Sequence, residues 1–406
     1  MAIVVVFILL LFLFSLFSRR LEQTVITAPI VFTTAGFLLV VVMQGVDVPG
    51  LEREGLLKLA EVGLVMLLFT DASHVNLKAL KESENLPVRL LSIGMLLTIA
   101  LGMAAGRLVF PGMSLWEAGI LAAILAPTDA GLGQQVVESP KVPLRIRQAL
   151  GVEAGLNDGL SVPFLMCFMA VSQAGTDGGG AVFLRYVVEQ LGMGALVGAA
   201  IGLGGGKLLD VAKRNGWMTE SMQQLGVVML PLLCMPACEP VGGSMFIAAY
   251  LAGLTVQKVF PEAGAHSAQF AEGWGQIFNL LVFLLFGIIV ARNITHVSAV
   301  HLVYAVISLT AVRMVPVAIA LAGTGLSKTT ALFMGWFGPR GLASIVLGLV
   351  FLEEEIHLPG EESIKLAVIV TVLLSIFAHG FSTLPGISWY ARRVTELGHD
   401  APEQQG

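Results

Sequence analysis

The hydrophobic positions of the chain fall into long blocks rather than into narrow stripes. Charged residues, glycine and proline separate thirteen such blocks, at 1–17, 24–43, 56–73, 87–110, 116–138, 148–172, 183–206, 222–237, 243–259, 273–291, 298–322, 330–351 and 365–389. Most are too long and too evenly apolar for strands, and a backbone in lipid is satisfied only in helices or a closed barrel. The pattern predicts an all-α polytopic membrane protein with about 13 transmembrane helices, a single membrane domain over 1–389 and a short cytoplasmic tail over 390–406.

Two of the blocks are interrupted. Segments five and twelve each carry glycine and proline in mid-span, and each precedes the last helix of a six-helix half. Paired interruptions in matching positions predict inverted repeats with a binding site near the midplane. Segment seven differs: Gly194, Gly198, Gly202 and Gly206 recur every four residues and predict a smooth face for close helix packing. The run GLGGGK in the same segment lacks the spacing of a phosphate loop.

Composition strengthens the membrane reading. Of 406 residues 56% are hydrophobic and 13% charged, against about 25% charged in soluble domains. That excludes most water-soluble folds, and a net charge of −5 gives no reason to expect a nucleic-acid partner. Cys167, Cys234 and Cys238 form no CxxC pair and read as packing residues. No HExxH or GxSxG motif occurs, so no enzyme and no cofactor is expected.

Charge also sets orientation. Fifteen of the 23 Lys and Arg residues fall in the odd-numbered loops and the tail: Arg19, Arg20, Lys78, Lys81, Arg89, Lys141, Arg145, Arg147, Lys207, Lys213, Arg214, Lys258, Lys328, Arg392 and Arg393. Six, Arg53, Lys58, Arg107, Arg185, Arg292 and Lys365, fall in the even ones. The positive-inside rule places the C-terminus in the cytoplasm and the N-terminus outside. Because Arg19 and Arg20 follow the first apolar block, that block reads as a helix rather than a signal peptide.

Arg313 and Arg340 remain, both inside predicted spans, and several acids join them there. An intramembrane charge is costly and therefore points to function. Segment five reads ILAPTDAGLGQQVV, and Pro127, Gly131 and Gly133 predict a break near Thr128. Asp129 would offset the positive end of the following half-helix, and the Thr128 carbonyl or hydroxyl is a candidate cation ligand. Segment six reads GVEAGLNDGLSVPF, with Glu153 and Asn157 on one helix face and Asp158 one position round. A carboxylate removed from water favours whatever neutralises it, a proton or a cation, and the two compete. Asp158 is the candidate for that competition, with Na+ at Asp158 and Thr128.

Arg313, inside segment eleven, needs a carboxylate close by, and Glu153 is its natural partner. Arg340 lies in GWFGPRGLASIVLG, where Gly338, Pro339 and Gly341 predict a second break. It sits either near carbonyl ends of a half-helix or near a carboxylate such as Asp129. Asp71, in LLFTDAS, either lines the cytoplasmic mouth of an ion path or marks where segment three meets water. His379 is either a proton sensor or a helix-end hydrogen-bonding group.

APTDA, EAGLNDG, the arginine of segment eleven, GPRG and HGFSTLP stand in an order and spacing that resembles the sodium/proton antiporters of the cation/proton antiporter superfamily. The likeness is strongest to their prokaryotic electroneutral branch with an Asn-Asp pair, and it covers nearly the whole chain. The resemblance implies a homodimer with a dimerisation domain and a mobile six-helix core in which broken helices five and twelve cross. It also implies that Asp158 binds cation and proton, that Thr128 and Asp129 lie at the crossover, and that Glu153 pairs with Arg313 to hold Asn157. The core of such proteins moves as an elevator. One departure is Ala154, where many relatives carry serine; water, Ser161 or Asp71 would have to replace that hydroxyl.

The function expected is electroneutral one-for-one exchange of a monovalent cation, Na+ foremost, for H+ across the cell's inner membrane. The alternatives are a K+/H+ antiporter of the same fold and a cation channel. Its partners are the lipid bilayer, a second copy of the chain, and the transported Na+ (or K+ or Li+) and H+.

Overall fold

The structure, a computed structural model, describes residues 2–21, 24–42, 53–74, 86–174, 188–260, 267–353, 358–397 and 401–404. Lys78, Lys81 and Arg185 of the loop count lie outside the described residues. The regular elements are helices: α1 (Ala2–Leu21), α2 (Ala28–Val42), α3 (Arg53–His74) and α4 (Leu86–Val109). There follow α5 (Leu115–Ile124), α6 (Ala130–Glu138), α7 (Leu144–Ala174), α8 (Val188–Arg214) and α9 (Glu220–Cys238). Next come α10 (Met245–Val259), α11 (Ser267–Asn293), α12 (Ala299–Leu309) and α13 (Ala311–Ala320). The last are α14 (Lys328–Trp336), α15 (Leu342–Glu353) and α16 (Glu361–Glu396).

Each of the thirteen segments corresponds to a helix or to a pair of helical pieces, so the all-α membrane fold is established. Several boundaries differ from the pattern. α8 runs on to Arg214, beyond the predicted end at 206, and carries Lys207, Lys213 and Arg214 on the helix rather than in a loop. Cations in a last turn favour the helix through its dipole, so charge there marks the membrane edge and not the helix end. The same holds for Arg19 and Arg20 in the last turn of α1. Segment eleven is two pieces, α12 and α13, bent at Thr310, whose hydroxyl bonds back to the Val306 carbonyl at 2.6 Å, a bond that bends helices.

Helices α1, α2, α3, α8, α9, α10 and α11 pack chiefly on one another; α4 to α7 with α12 to α16 form a second group. The glycine stripe acts within the first. Gly194, Gly198, Gly202 and Gly206 are buried on α8, and a β-carbon on any of them would collide with α10 or the Ser244 turn that starts it. The two groups meet where α3 faces α7 and α15 and where α10 faces α7. Outward-facing Ile8, Phe12 and Leu16 of α1 are exposed, a surface suited to lipid.

Candidate functional site

Pro127 cannot continue α5, and the chain leaves the helix after Ile124 and re-enters one at Ala130. A second gap separates α14 from α15. The four pieces have 9 to 12 residues each, about 14 to 18 Å of helix, or half of a bilayer core about 30 Å thick. The two gaps touch: the Asp129 N–H donates to the Pro339 carbonyl at 2.8 Å.

At that crossing the half-helix ends are charged by their free backbone groups, and two buried side chains answer them. Asp129 accepts the Leu132 N–H on Oδ1 at 2.8 Å, and the N–H of Leu342 on Oδ2. One carboxylate thus caps the positive ends of both α6 and α15. Arg340, fully buried, donates from Nη1 to the Ala126 and Pro127 carbonyls at 2.8 and 3.0 Å. Of its two alternatives, the structure places it on carbonyl ends and not on Asp129.

Each residue of the GPRG run has its own part in this geometry. A β-carbon on Gly338 would overlap the Arg313 guanidinium, and one on Gly341 would overlap the Asp129 carboxylate. Pro339 offers the carbonyl that Asp129 reaches, and Arg340 neutralises the end of α5.

α7 carries the second half of the site. Arg313 of α13 grips Glu153 with two bonds, Nη1 to Oε1 at 2.6 Å and Nη2 to Oε2 at 2.9 Å. One turn on, Asn157 donates from Nδ2 to the Thr128 hydroxyl at 2.7 Å. Asn157 is therefore tied directly to the break of segment five, and Glu153, held from α13 by Arg313, lies beside it on the same face of α7. Asp158 is 4% exposed. Its Oδ1 and the Oδ1 of Asn157 make no hydrogen bond among the described residues. Pro163 has no N–H to offer the Gly159 carbonyl, which frees an acceptor next to Asp158. Ser161 turns its hydroxyl to the Asp158 carbonyl at 2.8 Å.

Three glycines, two on α7 and one on α6, each receive a side chain from the other helix group. Tyr250 of α10 fills the space a β-carbon on Gly159 would need. Asp71 of α3 lies over Gly155, its Cβ 3.9 Å from that position, near enough to Asp158 for their charges to interact. Asn279 of α11 lies over Gly131, with Nδ2 3.2 Å from that position. Asp71 therefore faces the site. Tyr250 and Asn279 escape the sequence argument, although an asparagine in the middle of LLVFLLF-like surroundings is the signal that marks the second of them.

His379 is an anchor of the second break. Its Nε2 lies 2.9 Å from the Trp336 carbonyl, and Ser375, which accepts the Arg340 N–H at 2.6 Å, lies 3.1 Å from Nδ1. Nδ1 also lies 2.9 Å from the Ser375 carbonyl, so both ring nitrogens have partners. Helix α16 is thereby tied to both sides of the gap, the hydrogen-bonding alternative for this residue.

This geometry can be set against known proteins. The sequence matches the profile of the family described as sodium/hydrogen exchanger, transmembrane, over residues 5–389. The chain belongs to this family. The K(+)/H(+) antiporter NhaP of Alkalimonas amylolytica is 23% identical over 355 residues, 84% of this chain and 59% of that protein. The Na(+)/H(+) antiporter of Schizosaccharomyces pombe is 26% identical over 316 residues, 69% of this chain and 66% of that protein. The chain thus spans less than two thirds of the length of these relatives. Among solved structures, the sodium proton antiporter MjNhaP1 of Methanocaldococcus jannaschii at pH 8 superposes with a TM-score of 0.75, at 17% identity, over 98% of this chain and 99% of that one. At that identity the likeness establishes the fold.

Proposed function

We propose that this family member is a secondary antiporter that exchanges a monovalent cation, Na+ foremost, for H+, one for one, with both competing for Asp158. The observation that carries the proposal is the distribution of counter-charge. Glu153 is held by Arg313, Asp129 by two helix ends, and Arg340 by two carbonyls. Asp158 is left buried with one carboxylate oxygen that makes no hydrogen bond among the described residues. A carboxylate so placed is stabilised by a proton or by a cation and by nothing fixed.

The same distribution supports electroneutrality: a single titrating group accepts one charge in either direction, and Asn157 beside it cannot ionise. Thr128, Asn157, Asp129 and Asp71 frame the site, and Na+ bound at Asp158 and Thr128 replaces the missing partners. The glycines of the α6–α7 face give the broken-helix group a smooth surface on which to slide as an elevator core against α3, α10 and α11. We propose an inner-membrane homodimer, as the resemblance implies, with its N-terminus outside and C-terminus cytoplasmic on the excess of positive charge in alternate loops. Because the relatives include proteins named for K+ as well as for Na+, K+/H+ exchange at the same residues is the second reading.

Proteoliposomes carrying a pH-sensitive dye test the proposal. Imposed Na+, Li+ or K+ gradients are expected to drive proton flux, with the responding cations giving the selectivity, and Asp158→Asn is expected to abolish it. Full exchange by that variant overturns the mechanism, and a rate that shifts strongly with membrane potential overturns the one-for-one stoichiometry.

A further inference from the structure

Asn279 stands inside α11 in the run GQIFNLLVFLLFG, where the residues after it are apolar for two turns. Its side chain reaches across the boundary between the two helix groups. A β-carbon on Gly131 would lie 3.2 Å from Asn279 Nδ2 and 3.1 Å from Asp129 Oδ1, a tight fit, so the carboxamide faces the crossing close beside the Asp129 carboxylate. Asn279 Oδ1 is buried and makes no hydrogen bond among the described residues. A polar oxygen kept without a partner in an apolar helix calls for a transient one. Asn157, bonded to Thr128 at the break of segment five, and Asp158 next to it also carry unsatisfied Oδ1 atoms, and acceptors without donors are what a desolvated cation requires.

We propose that Asn279 is a cation-contacting residue supplied by the helix group that does not carry Asp158. Its amide oxygen enters the shell of the cation on the way between the cytoplasm and Asp158. The inference rests on the exchange function proposed above. It has a consequence of sidedness. Gly131 lies on α6, which leads from the break to the positively charged loop at Lys141, the cytoplasmic side by the charge count. Once the broken helices move relative to α11, Asn279 is left behind and the contact is lost, so it acts on cation affinity at the cytoplasmic face alone.

The test is apparent KM for Na+, Li+ and K+ measured from each face in oriented proteoliposomes. Asn279→Ala and Asn279→Leu are expected to raise the cytoplasmic KM about tenfold, equivalent to about 1.4 kcal/mol, and to leave the outer KM unchanged. The maximal rate should stay within about twofold of the parent. Asn279→Asp, which keeps an oxygen, should hold the cytoplasmic KM at or below that of the parent. A parental cytoplasmic KM in the Ala and Leu variants overturns the proposal, as does an equal rise on both faces, the signature of a packing defect. Should the Ala variant not fold, the comparison of Asp with Leu decides. An active parent with an inactive Asp158→Asn variant and indifferent Asn279 variants sinks only the role of Asn279; a parent without cation-coupled proton flux sinks the exchange function as well.

Discussion

Gly338 has no room for a side chain because the guanidinium of Arg313 occupies the space where its β-carbon would stand. The same guanidinium is committed to Glu153 through two short bonds. The second helix break therefore holds the ion pair in place by being bare. Gly338→Ala must push either the break or the arginine aside, and overpacking of this kind costs about 1–3 kcal/mol. A lowered melting temperature of the detergent-solubilised protein is expected, with weakened exchange. Melting and exchange equal to the parent would falsify the account of why glycine stands here.

The Glu153–Arg313 pair is nearly out of reach of solvent, at 3% and 4% exposure. Removing one member of such a pair strands the other charge and typically costs about 3–5 kcal/mol, whereas an apolar replacement of both is much less disruptive. Arg313→Met and Glu153→Leu are each expected to destabilise strongly, and the double variant to recover most of the loss. A thermal-melting cycle with additive losses would show that the pair does not act as a unit.

Much of this site is legible in the sequence because charge is scarce there: Asp129, Glu153, Asp158, Arg313 and Arg340 are visible as exceptions within apolar runs, and each is buried in the fold. The partner of Arg313 follows from the need to neutralise it. The partner of Arg340 does not, since a carbonyl end and a carboxylate are equally good answers until the path of the chain is known. Gly338, Gly341, Gly131 and Gly159 are likewise readable as breakers or packing residues, yet the atom each makes room for comes from a distant segment. Tyr250 and Asn279 belong to that class, because their importance arises only where the two helix groups meet. The bend at Thr310 and the extra turns of α8 depend on hydrogen bonding and dipole effects that hydropathy does not register.

Thr128 accepts the carboxamide proton of Asn157 with its hydroxyl. Thr128→Val keeps the shape and removes the acceptor, leaving a buried N–H unpaired at a cost of about 1–3 kcal/mol. Beyond lower stability, the variant is expected to lose cation affinity, because Asn157 is then free to turn away from Asp158. The informative reading is KM against maximal rate in the vesicle assay. A raised KM with the maximal rate retained supports a positioning bond; an unchanged KM shows that the cation neither uses Thr128 nor depends on where Asn157 points.

The tail offers a pH dependence with a definite sign. Glu403 is buried against the start of α14. Its Oε1 accepts the Ser327 N–H at 2.7 Å and the Thr330 hydroxyl at 2.8 Å, while Arg145 donates to the Pro402 carbonyl at 2.7 Å. Burial alone raises a carboxyl, but these hydrogen bonds to the charged form outweigh it, and Glu403 stays below the ordinary glutamate range. A folded-state value lower than the undocked one means that docking gains stability from the charge at and above the ordinary range. That gain is lost as pH falls through the folded value. The tail is therefore expected to stay docked from neutral pH down to mildly acidic conditions and to release only in stronger acid. Hydrogen exchange at the Ser327 amide reads this directly: protection should persist to below the usual glutamate titration in the parent, and Glu403→Gln should lose it already at neutral pH. Equal protection in the two proteins at neutral pH would show that the carboxylate charge does not hold the tail.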